Sequence, residues 1–148
     1  GGNQSGLWRV LSADEWNYLF NGRENAANLY AQAMIDSIEG MILLPDGCNL
    51  PSDIAFTTTI LGWETNKYTF EEWEKLEALG AVFLPVAGDR SGKSVANIGF
   101  IAYYWTGSCD GGDYAHYYVF KEKEQYPAKN GRSRWFGHSV RLVHVMSE

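Results

Sequence analysis

Apolar and polar positions alternate between two periods along this chain. Residues 7–11, LWRVL, read as a short strand. Ser12 follows, with Glu15 three residues on and an apolar face of Trp16, Leu19 and Phe20 at helical spacing. A serine with a glutamate at that offset is the signature of a capping box, so a helix is predicted to start there. Gly22 is its expected stop, and residues 24–40 read as a polar connection. Residues 41–47, MILLPDG, predict a short buried strand ended by a Pro-Asp-Gly turn. Residues 48–67 read as irregular. Thr69 and Glu72 repeat the capping box and open a second helix, with Phe70, Trp73, Leu76 and Leu79 as its apolar positions and Gly80 as its cap. Its acidic first turn suits the helix dipole. Residues 81–88, AVFLPVAG, read as a strand. From Ile98 onward everything reads as strand and turn: strands over 99–108, 114–124 and 137–145, a turn at 109–113, and a loop over 125–135. Helices in the first half and an antiparallel sheet in the second predict a single α+β domain over residues 1–148, with 1–6 as a flexible lead-in. The two helical units look alike, as an internal repeat would; two helix-then-strand packing units would look the same.

One motif invites a different reading. Gly88-Asp-Arg-Ser-Gly-Lys-Ser94 resembles a phosphate-binding loop, but such a loop needs four residues between its glycines and a helix after them. Here only Asp89, Arg90 and Ser91 intervene, an aspartate sits where an anion would bind, and the β-branched and aromatic residues that follow predict a strand. The segment is therefore read as a polar loop between the 81–88 strand and the sheet, with a solvated lysine.

Composition narrows the partner. The formal net charge is -6, with no basic stripe, so a nucleic acid is not an expected partner. No apolar run reaches the length of a membrane span, and no signal peptide is visible. Aromatic residues make up 15% of the chain, more than a core alone calls for, and Tyr and Trp are favoured at binding surfaces. Cys48 and Cys109 lack metal-type spacing and read either as free thiols or as one disulfide, with nothing in the sequence bringing them together.

The stretches WRVLSADEWNYLF, GMILLPDG, EEWEKLEALGAVFLPVAG, AYYWTGS, YAHYYVF and GHSVRLV resemble successive segments of bacterial C-type-lectin-fold domains. They resemble the major-paralogue domains of gut Bacteroidales surface proteins and are also similar to the variable proteins of diversity-generating retroelements. The likeness runs from about Trp8 to Val143. It implies a C-type-lectin-like fold of two helices packed on a small twisted antiparallel sheet, with the N- and C-terminal strands side by side. It also implies display at the cell surface, outside the cell, and a binding face in the C-terminal third, from about Ala102 to His138; whether that face is diversified stays open. His138 stands where the family often has an aromatic residue. RVLSADEWNYL is also similar to a signature of formylglycine-generating enzymes, yet their later NVWEW and RGGSW segments and their C-terminal cysteine pair are absent. The Glu-Pro-Asn, Gln-Pro-Asp and Trp-Asn-Asp motifs that hold calcium in sugar-binding lectins of this fold are absent too.

Catalytic and metal readings are weak. Cys109 lies beside Asp110, and a neighbouring carboxylate raises a thiol pKa, which disfavours a Cys109–His116 nucleophile pair. His138 and His144, read on one strand, would stand about 20 Å apart, too far for one ion. The turn Cys109-Asp-Gly-Gly-Asp113 needs no calcium, since glycine takes positive φ and aspartate bonds its own backbone. No cofactor and no metal are expected.

A binding face is the better reading. With helices covering one side of the sheet, half of its rings must face out: if Tyr118 and Phe120 point in with His116, then Tyr117 and Val119 point out; Tyr103 and Tyr104 likewise cannot both be buried. Cross-strand aromatic pairing would account for any one of these rings. The whole set has the composition of a paratope. The expected ligand contacts are Tyr103, Trp105, Thr106, Ser108, Asp110, Asp113, Tyr114, Tyr117, Asn130, Arg134, Trp135, Phe136 and His138, carried by the loops at 106–114 and 130–138. The expected partner is a protein or glycan on another surface. A formylglycine-type enzyme and a structural pilus or stalk domain are the alternatives.

Overall fold

Both helices start at the hydroxyl that the sequence offers. The computed structural model describes residues 8–58 and 60–144, apart from the side chain of Asn130; the expected lead-in lies outside these. Ser12 Oγ accepts from the Glu15 N–H at 3.1 Å, and the Ser12 N–H donates to Glu15 Oε2 at 2.8 Å. From this cap α1 (Ala13–Asn17) runs on into one wider π-helical turn, Tyr18–Gly22. Arg9 also donates to the Glu15 carboxylate, at 2.6 Å. That bond first, and the Ser12 N–H second, hold the carboxyl down at about 2. Thr69 and Glu72 repeat the reciprocal pair at 3.2 and 2.8 Å and open α2 (Phe70–Ala78). Gly80 ends it at φ +91°, a conformation that glycine takes without strain.

The strands in chain order are β1 (Trp8–Val10), β2 (Tyr30–Ile35), β3 (Ile38–Leu43), β4 (Lys67–Tyr68), β5 (Val82–Pro85) and β6 (Asp89–Ser91). After them come β7 (Ser94–Ala96), β8 (Ile101–Trp105), β9 (Tyr114–Lys121), β10 (Glu124–Ser133), β11 (Phe136–Gly137) and β12 (Leu142–His144). The chain is an α+β protein. Where one antiparallel sheet is expected, the described residues form four. The central one has the order β4-β2-β3-β5 and contains a parallel pair, β2 with β4. The others are β10-β9-β8, β11-β6-β7 and the pair β1-β12.

The central sheet is apolar on both faces, and its alternation builds two cores. Met41 and Leu43 of β3, with Leu84 of β5, face Trp16 and Phe20 from the first helical unit. Ile42 and Leu44, with Phe83, face Trp73 and Leu76 of α2. Each tryptophan stands four residues after its cap. The two look-alike units thus serve opposite faces of one sheet. The first core is closed by Ala102 and Tyr104 of β8 and by Tyr118 and Phe120 of β9. Those two strands form the wall between core and solvent, and the candidate site lies on their outer side.

Four segments depart from expectation. The connection at 24–40 holds β2. Its middle, Ala31-Gln32-Ala33, is buried throughout, and a strand covered on both faces shows no alternation to read. The loop at 125–135 is largely β10. Its ladder with β9 shifts register between Tyr126 and Lys129 and again between Lys129 and Arg132. Those irregularities take in Pro127, which has no N–H to give, and Gly131 at φ +88°. The Gly88–Ser94 stretch is a hairpin, β6 and β7 meeting at Gly92, rather than an open loop; Lys93 is exposed on its turn. The final strand is broken. β11 pairs with β6, Ser139 bridges Tyr104, and β12 pairs with β1. His138 and His144 therefore do not share a strand.

Gln32 ties the layers together. Wholly buried, it donates to Lys121 O at 2.7 Å and accepts from the Lys123 N–H at 3.0 Å, so the central sheet grips the turn between β9 and β10. Gln32→Leu keeps the volume and strips both partners. It is expected to destabilise the protein by about 2–4 kcal/mol in urea denaturation, because each polar group left buried and unpaired costs about 1–3 kcal/mol; a loss below about 0.5 kcal/mol would show that the tie is slack.

Candidate functional site

Period two on β8 and β9 decides which rings face solvent. Tyr104, Tyr118 and Phe120 are buried in the first core. Their neighbours Tyr103, Trp105 and Tyr117 therefore point outward, each half-buried. Tyr103 and Tyr117 lie with ring centroids 6.1 Å apart. Arg132 of β10 stands directly opposite Ala115 in the ladder and so shares this outer face.

His138 is the hub of the face. The chain after β11 runs alongside β8, where Trp105 N–H donates to Ser139 O and Ser139 N–H to Tyr103 O, both at 2.9 Å. This lays the imidazole 4.9 Å from Tyr103, stacked at 18°, and 4.2 Å from Trp105. Tyr117 and Phe136 are 5.9 and 6.0 Å away. Neither ring nitrogen has a hydrogen-bond partner. Burial first, and the nearby Arg132 charge second, push its pKa down to about 4, so the ring is neutral and packs as an aromatic.

Beneath the rings lies a charged floor. Arg132 Nη2 donates to Asp89 Oδ2 at 2.8 Å, and Asn97 Nδ2 donates to Asp89 Oδ1 at 2.8 Å. The guanidinium sits 4.0 Å from the Phe136 ring centroid and 5.0 Å from that of Tyr103, within cation–π range. Arg132 and Asp89 are absent from the sequence expectation. The loop reading of 125–135 hid Arg132, which only the β9–β10 register turns toward Tyr103. The rim is exposed. Trp135, 66% accessible, stacks on Phe136 at 4.2 Å. Tyr114 is 53% accessible, and its carbonyl accepts from Arg134 Nε at 3.3 Å.

The expected contacts therefore sort into groups. Tyr103, Trp105, Tyr117, Phe136 and His138 form one cluster, with Trp135 and Arg134 at its rim; Tyr114, exposed beyond Arg134, stands an odd number of residues from Tyr117 and so on the other face of β9. Thr106 and Ser108 are corrected. Thr106 is buried, and its hydroxyl donates to His116 O at 3.1 Å and accepts from Ser108 N–H at 3.1 Å. Ser108 Oγ accepts from Ala13 N–H at 3.0 Å, pinning the turn to the start of α1. Both hold the loop. Asp110 and Asp113 are exposed in that turn, with Asp110 Oδ1 2.8 Å from His116 Nε2. The side chain of Asn130 lies outside the described residues. Cys48 and Cys109 are free thiols. Among the described residues no cluster of three or more His, Cys, Asp or Glu is placed to hold a metal ion. No helix there is long and apolar enough to cross a membrane.

A cleft of about 290 Å³ opens beside His138, lined by Gly88, Asp89, Arg90, Val95, Gly137 and Ser139. A separate, more apolar cavity of about 260 Å³ lies on another side, among Leu11, Trp16, Leu19, Val82 and Leu84. No protein-family model matches this chain, and neither a curated protein nor a solved structure matches it.

His138 makes the face pH-sensitive. The folded ring takes a proton only near pH 4, against 6.5 for the ordinary residue. Unfolding therefore takes up a proton between those values, so this contribution to stability is complete above pH 6.5 and is lost as pH falls toward 4. NMR titration of the His138 ring is expected to give a midpoint near 4, and His138→Phe is expected to flatten the pH dependence of the urea midpoint across that window. A ring titrating near 6.5 would contradict this packing.

Proposed function

We propose that the chain is a non-enzymatic binding module with a C-type-lectin-like fold, displayed on a bacterial or phage surface. It recognises a protein or glycan on another surface through the face built around His138. The observation that carries this reading is the rim: Trp135 stands out from a ring cluster whose backing is fixed by the Arg132–Asp89 pair, with Tyr114 exposed at the adjoining turn. Large rigid rings offered to solvent from an ordered base bind at low conformational cost. Two features agree with the fold that the family resemblance implies: two short helices, and the pairing of β1 with β12. In such a module the positions open to diversification are the exposed ones on this rim.

An array of glycans and host proteins probed with the wild-type chain and with a Tyr114→Ala/Trp135→Ala variant tests the reading. Binding is expected to fall by about 30-fold or more, since a hot-spot aromatic is worth about 2 kcal/mol or more. Both side chains are exposed, so the variant keeps its fold and its circular dichroism. Equal signals from the two proteins would rule out this face as the binding surface.

A further inference from the structure

We propose that the partner engaged by this face is an acidic, extended polypeptide segment; this rests on the binding reading above and names its ligand.

The first ground is charge. The whole chain carries -6, yet this face is cationic. Of the 12 lysines and arginines, Arg9, Arg23, Lys67, Lys75, Lys121 and Arg132 sit in ion pairs. Among the remaining six, Lys129 and Arg134 flank the ring cluster, and Arg90 and Lys93 lie on the β6–β7 hairpin that pairs with β11; all four are exposed. Lys129 stands opposite Tyr117 across β10 and β9. Arg90 stands opposite Gly137 across β6 and β11. Phe136 pairs with Ser91, the residue before the Gly92-Lys93 turn. Arg134 holds the Tyr114 carbonyl. Asp89 is already spent on Arg132, and no carboxylate occurs between Gln125 and His144. Two carboxylates border the patch at the 109–113 turn: Asp110 Oδ1 lies 2.8 Å from His116 Nε2, and Asp113 adjoins Arg134, whose N–H donates to its carbonyl at 2.8 Å. A positive patch on an acidic molecule selects a partner with a local acidic stretch. A long polyanion would run off the patch onto negative surface. A short segment would not, since charges beyond about 8 Å are largely screened at physiological ionic strength.

The second ground favours polypeptide over glycan. The face offers Trp, Tyr and Arg together, the residues that dominate protein–protein hot spots. The cleft beside His138 leads to Val95 on β7, the edge strand of its sheet. β7 is exposed throughout and, among the described residues, pairs only with β6. Its open edge presents main-chain groups that another extended chain can pair with.

A random linear peptide library displayed on phage, panned on the intact chain, supplies the probe. The selected peptides are expected to carry Asp and Glu several-fold above library frequency and to lose binding to Tyr114→Ala/Trp135→Ala. Arg90→Glu/Lys93→Glu/Arg134→Glu, all at exposed positions, is expected to slow association by about tenfold or more, because charge steering raises on-rates about 10- to 1,000-fold. Salt at about 1 M, where the Debye length is about 3 Å, is expected to do the same to the wild type. Peptides that need Trp135 but show no acidic enrichment would overturn the charge argument and leave the binding face standing. A failed selection, or peptides indifferent to Trp135, would overturn both. Retention on heparin that depends on the three cations, with no peptide selected, would point to an anionic glycan and overturn the polypeptide.

Discussion

Two strands carry the whole arrangement because each has two faces with different work. β8 and β9 give one residue in two to the first core and the other to solvent. The buried set, Tyr104, Tyr118 and Phe120, packs tightly with Trp16 and Phe20; Trp16 lies 5.0 Å from Tyr118, and Phe20 4.7 Å from it. A shift of one residue in either strand would exchange the two sets entirely. The core therefore does more than stabilise the protein. By holding Tyr104 and Tyr118 in place it determines where Tyr103, Trp105 and Tyr117 emerge. The outer rings have no independent freedom of position.

The second constraint is the joint between sheets. β6 and β7 come from the hairpin that the sequence disguises as a phosphate loop, while Arg132 comes from β10. The buried Asp89 carboxylate bonds both Arg132 and Asn97, so the hairpin, its following turn and the edge strand meet at one group. A buried pair of this kind contributes little net stability but costs several kcal/mol if one partner is lost. Its worth here lies in geometry. It fixes a planar guanidinium under Phe136 and Tyr103, and the rings then close over a neutral His138. The face is thus assembled from five strands, with His138 and the Arg134-Trp135 turn set in the short connections that flank β11.

Much of this was readable in the residues, and the failures have physical causes. The capping boxes at Ser12 and Thr69 and the stops at Gly22 and Gly80 follow from short-range chemistry, which sequence records directly; alternation on β9 divides its rings into two sets, and the fold decides that Tyr118 and Phe120 are the inner one. β2 was hidden because Ala31, Gln32 and Ala33 are buried on both sides of a central sheet and give no alternation. β10 was hidden because Pro127 and Gly131 are turn formers that here occupy irregularities of an edge strand. With β10 unread, Arg132 had no face, and its pairing with Asp89, 43 positions away in sequence, could not be inferred. Thr106 and Ser108 have the right composition for ligand contacts, but a hydroxyl in a tight turn is as readily claimed by the backbone. Only the fold shows that theirs are bonded to His116 and Ala13.

The pairing of β1 with β12 has a mechanical consequence. Trp8 lies opposite His144, so the chain enters and leaves the domain at the same end of this two-stranded ladder. Tension applied through the flanking polypeptide would therefore open the ladder like a zipper, parting one rung at a time, instead of shearing all its rungs at once. Under pulling, these three residue pairs yield first, while the rings and the layers behind them bear load only afterwards.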